Sequence, residues 1–127
     1  MRLILGFCLL AVILSGCTSS SSTTTGIHGH ALMGPTCPVE RNPPDPNCAP
    51  KPYHGTLRLT QGDDPTVTVK TFQTDDAGAF NVSANPGVYR IQSPESQSLP
   101  RCYTQETITV VTGRNVEANV DCDTGIR

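Results

Sequence analysis

Three histidines are the side chains of this sequence best suited to holding a metal: His28, His30 and His54. His28 and His30 are two residues apart, and in an extended strand that spacing puts both imidazoles on one face, roughly 7 Å apart. Two such rings can begin a copper or zinc site, which would still need a third ligand from His54, Met33 or a carboxylate elsewhere. No spacing supplies that ligand, so metal binding through His28 and His30 is the alternative reading and exposed strand histidines the plain one. Other chemistry finds less to work with. Asp63-Asp64 and Asp75-Asp76 are paired carboxylates, but each pair stands beside Gly and Pro or Ala and Gly in a turn-forming stretch, where Asp caps backbone N–H groups. There is no Gly-x-Ser-x-Gly elbow, and no histidine has an acidic partner at a recognisable spacing. The expectation is a protein that is not an enzyme and carries no cofactor.

Cysteine is the second reactive type. Cys37, Cys48, Cys102 and Cys122 form an even set after the N-terminal region, and the expected state is two disulfides formed in an oxidising compartment. A four-cysteine zinc site would want Cys-x(2 to 4)-Cys pairs, which are absent. Four cysteines allow three pairings, and sequence alone does not choose among them. Joining Cys37 to Cys48 and Cys102 to Cys122 closes the two shortest loops and is the expected pairing, each bond contributing roughly 3 kcal/mol.

The elements that must position these groups are short strands. Trp is absent, aromatics are 5% of the chain, and there are 11 Gly and 11 Pro, a mixture that disfavours long helices. Period-two alternation sets Ile27, Ala31 and Met33 inward, then Leu57 and Leu59, Val67 and Val69, Phe80 and Val82, Tyr89 and Ile91, Ile108 and Val110, and Val116 to Cys122. Turn signals separate the runs at Gly62-Asp63-Asp64-Pro65, Asp75-Asp76-Ala77-Gly78, Asn85-Pro86-Gly87 and Thr112-Gly113-Arg114-Asn115. About seven such strands, each with one apolar face, are expected to pack as an all-β, antiparallel sandwich. A net charge of −2, with its charges scattered, gives no footing for nucleic acid.

One stretch does not fit a strand. Pro35 to Pro52 holds seven of the eleven prolines, which lack the N–H a central strand needs. It is expected as an excursion between the first two strands, pinched by Cys37 and Cys48 and stiff in the manner of polyproline. Such a loop can serve as a rigid connector or as a recognition loop for another protein.

The N-terminus carries a different message. Arg2 precedes an apolar run, Leu3 to Leu14, shorter than the ~20 residues a membrane-spanning helix requires. Leu14-Ser15-Gly16-Cys17 resembles the lipobox of bacterial lipoproteins, which implies cleavage before Cys17 and acylation of that residue, for instance with palmitate. Residues 1–16 are then a signal peptide. Residues 17–25 are the lipidated cysteine and a Ser/Thr-rich linker that cannot bury apolar surface, and 26–127 are the folded domain. The resemblance implies a cell-envelope protein whose membrane contact is the lipid on Cys17. Thr18 after the cysteine implies the outer membrane in a diderm host, and a monoderm host would display the protein on the outer face of its plasma membrane.

Within the domain, Thr74-Asp75-Asp76-Ala77-Gly78-Ala79-Phe80 followed by Pro86-Gly87-Val88-Tyr89-Arg90-Ile91 resembles the signature of carboxypeptidase regulatory-like domains, which are prealbumin-like (transthyretin-like) β-sandwiches. Gly34-Pro35-Thr36-Cys37-Pro38-Val39 and the terminal Asp123-Thr124-Gly125-Ile126-Arg127 are similar to an exported bacterial subgroup of them. In that pattern Asp75 bonds the backbone of its own turn, Gly78 takes a positive φ, and Phe80 and Tyr89 enter the core. The resemblance implies a binding or structural accessory module whose partner is another envelope protein or a glycan.

Overall fold

The computed structural model describes Gly16 and residues 24–127; Cys17, the expected lipidation site, and the apolar run Leu3 to Leu14 lie outside the described residues. Ten strands follow: β1 (Gly26–Gly34), β2 (Lys51–Pro52), β3 (Thr56–Gln61), β4 (Thr68–Gln73), β5 (Ala79–Ser83), β6 (Gly87–Gln92), β7 (Arg101–Tyr103), β8 (Ile108–Val110), β9 (Asn115–Glu117) and β10 (Val120–Asp123). The domain is all-β, with a single 3-10 turn at Pro46–Cys48 among the described residues.

The strands form one curled sheet in the order β2-β1-β10-β7-β6-β3-β4, with β5 and β9 on β1 and β8 on β6. β1 is the axis of the curl. Its first half pairs with β5 and β9 and its second half with β10 and β2. The β9 and β10 pairings are parallel, so the sheet is mixed where an antiparallel one was expected. Alternation reports which face a side chain takes but not which strand lies alongside, and the first and last segments meet only in the folded chain.

The strand count differs for equally local reasons. The run Val116 to Cys122 breaks at Ala118-Asn119, where the chain crosses from one half of β1 to the other and becomes β9 and β10. β7 is a three-residue strand with one buried side chain, Cys102, and β2 is a two-residue rung inside the proline-rich segment. Neither is long enough to show a period.

The core holds Ile27, Ala31, Leu57, Leu59, Phe80, Val82, Tyr89, Ile91, Ile108, Val110 and Val120, all buried. Val67 and Val69, expected inward, are 39% and 46% exposed. A bulge between Leu59 and Thr60 moves the β3–β4 register from Leu59 opposite Lys70 to Thr60 opposite Thr68, leaving Val69 as the extra residue. Phe72, paired with the buried Leu57, is the β4 side chain that packs on the core, its ring 5.3 Å from that of Phe80, and the odd spacing from Phe72 puts Val69 on the other face. Met33 is only partly buried against the same cluster.

The turn between β4 and β5 is built as the motif implies. Asp75 Oδ1 accepts from the N–H groups of Ala77 and Ala79, both at 2.9 Å. Gly78 has φ +75°, and an added Cβ there would collide with the Ala31 carbonyl. Thr74, just before the turn, is buried and donates to the Tyr53 carbonyl at 2.6 Å while accepting from Gly55 N–H at 3.0 Å. Asp75→Ala removes an acceptor from two turn N–H groups and is expected to cost about 1 kcal/mol. Urea denaturation of the full chain measures it, and an unchanged midpoint would contradict this role for the carboxylate.

Candidate functional site

The histidines occupy an outward face of β1, as their spacing requires, but they do not converge. His28 is half-buried and its Nδ1 lies 2.9 Å from Asn115 Oδ1 on β9; His30 is exposed, its backbone N–H facing Asn119 Oδ1 at 3.4 Å. His54 lies between β2 and β3, its Nδ1 3.0 Å from Asp76 Oδ1 in the β4–β5 turn. Met33 points the other way, toward the core. Among the described residues no group of three or more His, Cys, Asp or Glu is placed to hold a metal ion.

The cysteines pair as the shortest loops demand. Cys37 bonds Cys48 and Cys102 bonds Cys122. The second bond is buried and joins residues directly opposite each other in the β7–β10 ladder. The first closes the proline-rich segment, which leaves β1 at Gly34 and returns at β2.

That loop stands at the end of the domain opposite Gly26, about 27 Å away along β1. It is folded upon itself as well as closed. Asp45 Oδ1 accepts from Asn47 N–H at 2.9 Å and caps the 3-10 turn, and Thr36 Oγ1 donates to the Ala49 carbonyl at 3.3 Å. Thr124 ties its root down by donating its N–H to the Gly34 carbonyl at 3.2 Å and its hydroxyl to that of Pro35. Thr and Asp thus supply the bonds that prolines cannot. Val39 tops the loop, 67% exposed.

A polar shelf on the outer sheet face was not visible as a unit in the sequence. Arg58 on β3, with its side chain 12% exposed, donates Nε to the Ser93 carbonyl at 2.8 Å and Nη2 to Gln92 Oε1 at 3.2 Å. Its Nη1 reaches Thr68 Oγ1 at 3.1 Å and Glu95 Oε1 at 3.4 Å. One guanidinium so fastens β3, β4, β6 and the following loop. Arg58, Arg101 and Tyr103 line a shallow depression of about 340 Å³, and Tyr103 is 40% exposed. The outward positions were readable singly, but only strand order places Arg58, Gln92 and Tyr103 in one row.

At the C-terminus, Arg127 donates to Asp123 at 3.0 Å. That hydrogen bond, then the Gly125 N–H, hold the Asp123 carboxyl below its ordinary value of 3.8, and the carboxylate raises Arg127 in return. Both groups are exposed, so the pair closes the tail on itself and forms no reactive centre. No family model matches the chain, and no curated protein or solved structure matches it either.

Proposed function

We propose that this protein is a lipid-anchored, non-catalytic module of the bacterial cell envelope that holds a protein or glycan partner through the Cys37–Cys48 loop. The observation that carries the reading is how the cysteines are used. Two bonds consume the four that follow the linker; of the remaining two, Cys8 falls within the expected signal peptide and Cys17 ends a lipobox-like stretch. Paired thiols suit an oxidising compartment, and a spare cysteine in that position suits acylation.

The fold that fits best is a prealbumin-like sandwich of the carboxypeptidase regulatory-like type, with β2, β7 and the β9–β10 split as additions to about seven strands. Support comes from the turn carboxylate of Asp75, the positive φ of Gly78, and the burial of Phe80 and Tyr89. The loop is favoured as the binding element because it is stiffened in advance by the disulfide, the capped turn and seven prolines, which lowers the ordering cost of binding. It also projects from the end of β1 remote from the linker.

A photoreactive residue in place of Val39, in the full chain on intact cells, tests this. The expected result is a discrete cross-linked species that is absent when the same residue replaces Thr66 in the β3–β4 hairpin. No adduct from position 39, or the same adducts from both positions, would overturn the assignment of the loop.

A further inference from the structure

The linker enters the domain at a well-defined place. The Thr25 carbonyl accepts from Ala84 N–H at 3.3 Å, Thr25 Oγ1 from Gly113 N–H at 2.8 Å, and Gly26 N–H donates to the Arg114 carbonyl at 3.1 Å. Residues 25 and 26 are thereby pinned between the β5–β6 and β8–β9 turns. Around the same end stand four exposed valines: Val67 and Val69 of the β3–β4 hairpin, Val88 of β6 and Val111 after β8, between 39% and 49% exposed. Val69 and Tyr89 line two neighbouring depressions, one including Thr25 and the other, of about 680 Å³, including Val88 and Gly62. Exposed apolar side chains gathered at one end of a small domain call for a partner.

We infer that this valine end rests on the lipid surface to which Cys17 is anchored, an inference that rests on the anchored reading above. The eight residues 18–25 span at most about 28 Å when fully drawn out. The valines therefore stay within that reach of the bilayer, at an effective concentration that lets a weak apolar contact form. Charge neither drives nor forbids it: Asp63 and Asp64 on one turn are offset by Arg114 on another and by Lys70 of β4, so contact with neutral lipid suffices. Pairing of β4 with a second copy is the rival occupant. Along that edge the Val69 bulge and Lys70, which donates to the Ser83 carbonyl of β5 at 2.7 Å, guard the strand. With the valines down, the Cys37–Cys48 loop faces away from the membrane.

The chain contains no Trp, so a single introduced Trp reports its own surroundings. Full-length lipidated V88W and V39W, purified from membranes, are reconstituted into phosphatidylcholine vesicles with plain or dibrominated acyl chains. A residue sunk ~5–10 Å into the headgroup boundary gives V88W emission that is blue-shifted and quenched severalfold by the brominated lipid, with V39W unaffected. Vesicles that carry both variants while V88W emission is the same in plain and brominated lipid would overturn the docking and leave the anchor standing. A blue shift insensitive to bromine and lost on diluting the protein would assign the surface to a second copy, and quenching of both variants would mean no preferred end. If neither variant floats with vesicles, the anchor itself fails and the docking with it.

Discussion

The Cys102→Ala/Cys122→Ala double variant is expected to lose about 3 kcal/mol of folding stability, which for a domain of this size lowers Tm by roughly 12–24 °C. The bond closes a 20-residue separation, and its loss frees the unfolded chain from that closure. In the native state little freedom is regained, because both positions are 1–2% exposed and face each other in the β7–β10 ladder. The neighbouring Cys102 N–H is also held by the buried Ser93 hydroxyl. The contrast with Cys37→Ala/Cys48→Ala is the informative part. That loop is of comparable length in sequence, 11 residues, but it lies outside the core, so in the reduced native state it can regain the freedom the bond removed. Its loss is expected to change stability by less than about 1 kcal/mol, well below the roughly 3 kcal/mol that loop length alone assigns to this bond. Thermal unfolding of the two variants measures the difference, and equal Tm values would contradict the division of labour between the bonds.

Gly29→Ala is the second large effect, expected to cost about 3 kcal/mol or more and to impair recovery of folded protein. Gly29 stands on β1 between the stretch paired with β9 and the stretch paired with β10. An added Cβ would overlap the carbonyl oxygen of Ala118 and come within 3.2 Å of Phe80 Cζ. The obstacle is backbone, so no rotamer change relieves it. Ala118 cannot retreat either, because its N–H donates to the His28 carbonyl at 2.8 Å, the last tie before the chain crosses to β10. Gly34→Ala provides the comparison on the same strand. An added Cβ there meets nothing within 4 Å, and a change of less than about 0.5 kcal/mol is expected. Chemical denaturation separates them, and similar midpoints would show that the close approach at Gly29 does not hold the crossover.

Much of the fold was legible wherever the cause is local. Asp75 and Gly78 belong to a turn whose chemistry is complete within five residues, so sequence names their roles directly. The alternation of Ile27 and Ala31 with His28 and His30 assigns inner and outer faces of β1 without knowledge of its partners. The cysteine pairing is the short-loop one that was expected, each partner lying nearby in sequence. What escaped is non-local. Parallel pairing of β1 with β9 and β10 joins residues about ninety positions apart, and no periodicity encodes it. Val67 and Val69 alternate as regularly as Lys70 and Phe72, and only the pairing of Phe72 with Leu57 shows which of the two faces turns inward. Arg58 looks like any outward arginine until β6 and the Ser93–Glu95 segment arrive beside it. The metal reading failed to gain a third ligand for the same reason: His54 and Asp76 meet each other, at a place that strand spacing could not foresee.

These differences leave the physical account of the domain intact. A core this small, whose aromatic side chains among the described residues are Tyr53, Tyr89, Phe80 and the partly buried Phe72, relies on crosslinks more than a larger one does. On the reading proposed above, those crosslinks form in a compartment where thiols are oxidised. Mass measurement of the protein extracted from membranes without reductant tests that account most directly. It predicts a chain that begins at Cys17, carries acyl groups there, and is four hydrogens lighter than its reduced form, two for each disulfide. A chain that still begins at Met1, unacylated and with free thiols at Cys102 and Cys122, would contradict it.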